Sequence, residues 1–82
     1  MSFMLEVLYG GPTNQEKEVQ IARVLAEFGG HMTYKEEPSP ESLIQTVCLT
    51  YEFDNSDAAD AAAYQLRKLG DHVEGPMDYG DD

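Results

Sequence analysis

Cysteine and positive charge are the two things this chain has little of. Its 82 residues include one cysteine, Cys48, and five lysines and arginines against 16 aspartates and glutamates. A lone cysteine closes no internal disulfide and builds no thiolate metal cage, which fits a reducing compartment. The net charge of -11 meets phosphate with an unfavourable potential, so nucleic acid and anionic membranes are disfavoured as partners. The N-terminus lacks a basic region, and its longest apolar run, Phe3 to Leu5, is too short for a leader or a span. These absences together predict a cytoplasmic protein. The length suits one domain with a thin core, because a chain of this size buries only about 60 to 65% of its unfolded surface. We expect residues 1–77 to form that domain. Residues 78–82, with Asp78, Asp81 and Asp82, are expected to be an acidic tail with too few apolar side chains to hold it down.

What the chain does have is a faint internal echo. Leu25-Ala26-Glu27-Phe28-Gly29-Gly30-His31-Met32 returns as Leu66-Arg67-Lys68-Leu69-Gly70-Asp71-His72-Val73. Both copies read as the last turn of an amphipathic helix, a glycine stop and a strand that opens at histidine. Two strand–helix–strand halves in tandem are therefore expected.

Phe3, Leu5, Val7 and Tyr9 alternate with Met4, Glu6 and Leu8, the period of a strand whose first set faces the core. Gly10, Gly11 and Pro12 break it, and Thr13 with Glu16 has the spacing of a capping box, so a helix should begin near Asn14. Its inward stripe is Ile21, Ala22, Leu25 and Phe28, with Val24 at the boundary. His31 to Glu37 reads as a short edge strand, Met32 and Tyr34 on one face and His31, Thr33 and Lys35 on the other, blunted by its charges and ended by Pro38-Ser39-Pro40. The third strand is expected to be the longest. Leu43, Val47, Leu49, Tyr51 and Phe53 share its inner face, and Ile44, Thr46, Cys48, Thr50 and Glu52 its outer face. Asn55 or Ser56 caps a second helix with Ala59, Ala62, Ala63, Leu66 and Leu69 inward. His72 to Glu74 makes a short last strand before Gly75-Pro76.

The order β-α-β-β-α-β over residues 3 to about 75 resembles the ferredoxin-like fold. That resemblance implies an α+β two-layer sandwich, a four-stranded antiparallel sheet ordered 4-1-3-2 with both helices on one face. Strands one and three are expected to lie side by side and to run parallel. Many unrelated functions share this fold, so its users are tested residue by residue. RNA-recognition domains stack bases on aromatics of strands one and three; here the outward positions hold no aromatic and two acids, Glu6 and Glu52. Heavy-metal-associated domains need two thiols in the first loop and acylphosphatases an arginine, and Gly10 to Asn14 has neither. The amino-acid-binding ACT domains use a glycine-bearing first loop, and Gly10 and Gly11 meet the loosest part of that pattern.

No constellation of residues points to catalysis. His31 and His72 open opposite edge strands roughly 14 Å apart, too far to share a metal ion, and each reads as a strand-start residue rather than a ligand with Asp71 or Glu74. Asp54, Asp57 and Asp60 are accounted for by a helix start, lacking the alternation and glycine of a calcium loop. Gly10, Gly11 and Thr13 before a helix form a candidate ligand loop, without a phosphate-loop lysine or dinucleotide glycine spacing. Cys48 has no nearby base in sequence to activate it. Neither a metal nor a cofactor is expected, and an enzyme is the least favoured reading.

The outer sheet face is the leading candidate surface. Met4, Leu8, Ile44 and Cys48 are expected to make an apolar centre within a rim of Glu6, Thr46, Thr50 and Glu52. It points to a non-catalytic interaction or regulatory module, with a protein partner or a second copy on this face. An inhibitor of a basic-surfaced protein is its sharpest form. The alternative is an ACT-like domain that senses a small ligand at the Gly10–Thr13 loop.

Overall fold

A computed structural model describes residues 2–78. Six elements follow the expected order: β1 (Phe3–Gly10), α1 (Gln15–Glu27), β2 (His31–Glu36), β3 (Thr46–Phe53), α2 (Ser56–Lys68) and β4 (His72–Asp78). The strands form one sheet in the order β2-β3-β1-β4, which is the 4-1-3-2 arrangement of a ferredoxin-like α+β sandwich. All neighbours are antiparallel, β1 and β3 included. The expected parallel β1–β3 pair is thus corrected. Each crossover makes its own two strands parallel, but the halves interleave, so every strand lies beside one running the opposite way.

Period-2 patterning puts Leu5, Val7 and Tyr9 of β1 and Val47, Leu49, Tyr51 and Phe53 of β3 on one face. There they meet Ile21 and Leu25 of α1, and Ala59, Ala62, Ala63 and Leu66 of α2. The alanines let α2 approach the sheet closely. Each helix starts at an asparagine, whose side-chain oxygen accepts from a backbone amide of the first turn: Asn14 from Lys17 and Asn55 from Ala58, both at 3.1 Å. The Thr13–Glu16 capping box does not form, because Thr13 turns away and donates to Glu37 at 3.2 Å. Among the described residues no helix is long and apolar enough to cross a membrane.

Four further expectations change. Leu43 and Ile44 do not belong to β3; they lie fully and largely exposed in the loop before it. Local bonds hold that loop as a turn: Ser42 Oγ donates to Ile44 O at 2.8 Å, and Gln45 Nε2 donates to Ser42 O at 2.8 Å. Leu69, expected inward, is exposed just beyond the end of α2. β4 continues past Gly75-Pro76 to Asp78, so Asp78 belongs to the sheet, while the rest of the expected tail lies outside the described residues. Between Glu6 and Met4 the partner on β4 advances from Glu74 to Met77, a bulge that absorbs Gly75 and Pro76. Gly75 has φ +106, and a Cβ there would stand 2.8 Å from Met4 O. Lastly, β2 is bulged at Thr33: Met32 opposes Tyr51, yet Tyr34 opposes Thr50. Met32 and Tyr34 therefore face opposite sides of the sheet.

Candidate functional site: the open sheet face

The register lays out the uncovered face as three rows across four strands. Reading from β4 to β2, the first row is Met77, Met4, Glu52 and His31. The second is Glu74, Glu6, Thr50 and Tyr34, and the third His72, Leu8, Cys48 and Glu36. Met4, Leu8, Cys48, Thr46 and Glu52 all lie on this face as expected. Their arrangement differs from the expected one. Glu6, assigned to the rim, stands between Met4 and Leu8, so the apolar residues form two pairs, Met4–Met77 and Leu8–Cys48, separated by a strip of acid.

Ile44 reaches the same region from the loop. With Leu8, Cys48, Thr46 and Pro38 it lines a groove of about 380 Å³ at the third row, which Glu6 and Glu36 also border. Ile44 thus neighbours Leu8 and Cys48 from the loop before β3, where the strand pattern predicts it within the strand itself.

The charge on the face is one-sided. Glu6, Glu36, Glu52 and Glu74 point outward, and none of the chain's five lysines and arginines does. Lys35 lies on the inner face of β2, where its ammonium donates to Glu18 at 3.0 Å and pairs with Glu37 at 3.2 Å. Arg67 reaches back from α2 to the carbonyls of Val73 and Gly75 at 2.8 and 3.1 Å. The cationic candidates on the face are the histidines, and they stand on opposite edges: His31 is 3.5 Å from Glu52, and His72 is 3.3 Å from Glu74. Glu6 has no partner in the ion pairs of the described residues. Burial first, and then the fields of Glu6, Glu36 and Glu74, push the Cys48 thiol above its ordinary range. That is the opposite of what a nucleophilic thiolate needs. Among the described residues no group of three histidine, cysteine or acidic side chains comes together as a metal site.

The Gly10–Thr13 loop is closed by its own contacts. The Gly11 amide donates to Gln45 O at 2.5 Å, and the Asn14 amide donates to Tyr9 Oη at 2.9 Å. The Tyr9 hydroxyl in turn donates to Glu18. Two amides of the stretch are thus already engaged, and Gly10 borders a groove of about 310 Å³ with Lys17, Asp71 and His72. Lys17 and Asp71 are paired there at 2.9 Å.

Three participants escaped sequence reasoning. Tyr34 arrives on the open face through a bulge that has no sequence signature, and Met77 follows a Gly-Pro pair that reads as a strand end. Glu18 did carry a signal: it precedes Ile21 and Leu25 on the inward stripe by three and seven residues, and an acid on an apolar stripe asks for a partner.

The sequence matches no family model, and no curated protein sequence is significantly similar to it. Among solved structures, the fold resembles part of prephenate dehydratase from Streptococcus mutans, with a TM-score of 0.59 and 17% identity over 89% of this chain. The likeness is one of fold. The chain spans 39% of the length of that enzyme's chain.

Proposed function

We propose that this protein is a non-catalytic interaction or regulatory module that works through its open sheet face. The observation that carries the reading is the face itself. Apolar pairs Met4–Met77 and Leu8–Cys48 stand uncovered by either helix, amid four glutamates and no lysine or arginine. Half-buried apolar groups in that setting favour a protein surface over water, and the charge favours a basic one, whose approach it accelerates. Inhibition of a protein with a basic surface is one form this activity takes, and the raised thiol pKa of Cys48 weighs against that side chain as a nucleophile. The lone cysteine supports a cytoplasmic setting.

The test is association. Leu8→Lys and Ile44→Lys should leave the fold intact by circular dichroism, since both side chains lie outside the core, and should weaken binding to any protein recovered with the wild-type chain. A second copy is the other occupant of this face. Sedimentation equilibrium at high concentration would reveal it as a dimer that the same substitutions dissociate. Unchanged association in both variants would remove the open face from the function.

The second reading is an ACT-like domain that senses a small ligand, and the structural likeness to part of prephenate dehydratase favours it. Its site would be the groove beside Gly10, where Lys17 and Asp71 offer one charge of each sign to an amino acid. Because those two side chains already pair with each other, a ligand must displace that bond. Titration with the common amino acids, followed by the amide signals of Gly10, Gly11 and Thr13, separates the two readings.

A further inference from the structure

Along β1 the open face presents an apolar group, a carboxylate and an apolar group, and we propose that it docks a basic amphipathic helix of a partner protein. The inference rests on the interaction reading above and names the shape of the partner. Met4, Glu6 and Leu8 point the same way at two-residue intervals, so their Cα atoms stand about 6.6 and 13 Å along the strand from Met4. A helix repeats that spacing on one face. Residues i, i+4 and i+8 rise about 6 and 12 Å. A helix laid along β1, with apolar side chains at i and i+8 and an arginine at i+4, sets one apolar anchor on Met4–Met77, the other on Leu8–Cys48, and the guanidinium over Glu6.

The centre of the face is built for that cation. Glu6 and Glu74 are cross-strand partners, and like charges directly opposite each other destabilise a sheet. His72 reaches Glu74 alone, at 3.3 Å, and leaves Glu6 without a counter-charge among the described residues; the chain supplies no lysine or arginine to the pair, as its own are committed elsewhere: Lys17 to Asp71, Lys35 to Glu18 and Glu37, Arg67 to the β4 carbonyls. Arg23 and Lys68 lie on the helices, on the other side of the molecule. An arginine between the two carboxylates donates to both from its planar fork of N–H groups, a geometry lysine matches less well. Glu36 and Glu52, in the outer two rows near β2, then meet basic residues on the flank of the helix. The same arrangement disfavours a second copy as the occupant, since two of these faces would set eight glutamates against each other without a lysine or arginine between them.

The probe is a synthetic helical peptide with leucine at i and i+8, arginine at i+4 and lysines on one flank, titrated into the full chain and followed by amide chemical shifts and calorimetry. Shifts should centre on β1, Cys48 and Glu74. Glu6→Gln should weaken binding by about tenfold, the loss of one charge-assisted contact. Glu27→Gln, the same charge change on α1, should alter it by less than about twofold. Replacing the peptide arginine by glutamine should cost the wild-type chain about as much as Glu6→Gln does and add little once Glu6 is gone. Equal losses from Glu6→Gln and Glu27→Gln would reduce the interaction to net charge and overturn the inference, as would shifts confined to the helices. A dimer dissociated by Leu8→Lys, with no peptide binding, would leave the interaction reading standing and sink the helix. Neither dimer nor peptide binding would likewise sink the helix, and the interaction reading would then rest on the Leu8→Lys and Ile44→Lys test above.

Discussion

The two halves of this chain share a junction in sequence and use it differently in space. At each, a helix ends on a glycine in the left-handed region, Gly29 at φ +84 and Gly70 at φ +96, a conformation that other residues adopt only at a cost. The residues that follow diverge. In the first half Gly30 lies under the Phe53 ring, where a Cβ would stand 2.4 Å from Cζ. In the second half the same place is Asp71, whose carboxylate takes the Lys17 ammonium at 2.9 Å. The strands diverge as well: β2 is exposed along nearly its whole length, whereas β4 buries Val73 and is strapped to α2 by Arg67. Likeness persists where the backbone demands one conformation and disappears where tertiary neighbours differ.

The largest effect tests the sheet centre on which both halves depend. Leu49 is 1% exposed and pairs with Val7, so Leu49→Ala should cost about 2 to 5 kcal/mol in urea unfolding. A loss below about 1 kcal/mol would contradict the face assigned to β3.

The junctions themselves should separate next. Gly30→Ala forces the Phe53 ring to move and should cost about 1 to 3 kcal/mol, the usual penalty of overpacking. Asp71→Ala removes a pair whose lysine is more than a third exposed, and should cost less than about 1 kcal/mol. Equal losses at the two positions would break the comparison.

Alkaline pH should act on the first half through Tyr9 and Lys35. Burial is the main cause that raises the Tyr9 pKa above 10.0, and the hydrogen bond to Glu18 is the main cause that raises Lys35 above 10.5. Both groups hold their protons more tightly in the folded chain, so their contribution is complete below pH 10.0 and is lost as pH rises through the folded values. Urea midpoints should therefore fall above that pH, and less steeply in Tyr9→Phe. An identical slope in the variant would detach Tyr9 from the effect.

The smallest effect concerns the second half's contact with β1. Glu6→Gln removes half of the acidic pair across β1 and β4 and should stabilise the free chain by about 0.2 to 1 kcal/mol. If Glu27→Gln stabilises it equally, the gain belongs to total charge rather than to the pair.

Element order, sheet order and most of the core were legible because they rest on long periodic segments and on glycine stops, signals local to the chain. Val7, Leu25, Leu49 and Leu66 declare their burial by spacing alone. The layout of the open face was not legible to the same degree. Its rows depend on where two bulges fall, at Thr33 and at Gly75-Pro76, and a bulge changes which residue faces which side without altering composition. Leu43 and Ile44 misled for a different reason: apolar residues next to a strand extend its pattern, while Ser42 and Gln45 hold the backbone in a turn. The place of Glu6 between Met4 and Leu8 was written in the alternation of β1, but its pairing with Glu74 appears only when β4 is set beside it.

Phe3 and Asp78 are cross-strand partners, so the start of β1 and the end of β4 lie side by side, as the two ends of a loop do. A host protein can carry such a unit between two adjacent residues of a surface turn without stretching its own frame. The same closure makes the chain a candidate for permutation, with Phe3 and Asp78 bridged by a short flexible linker and new ends opened at Ser39, in the exposed segment between β2 and β3. Cut there, the permuted chain would start with β3, α2 and β4, run through the bridge into β1, and keep every strand beside its present neighbours.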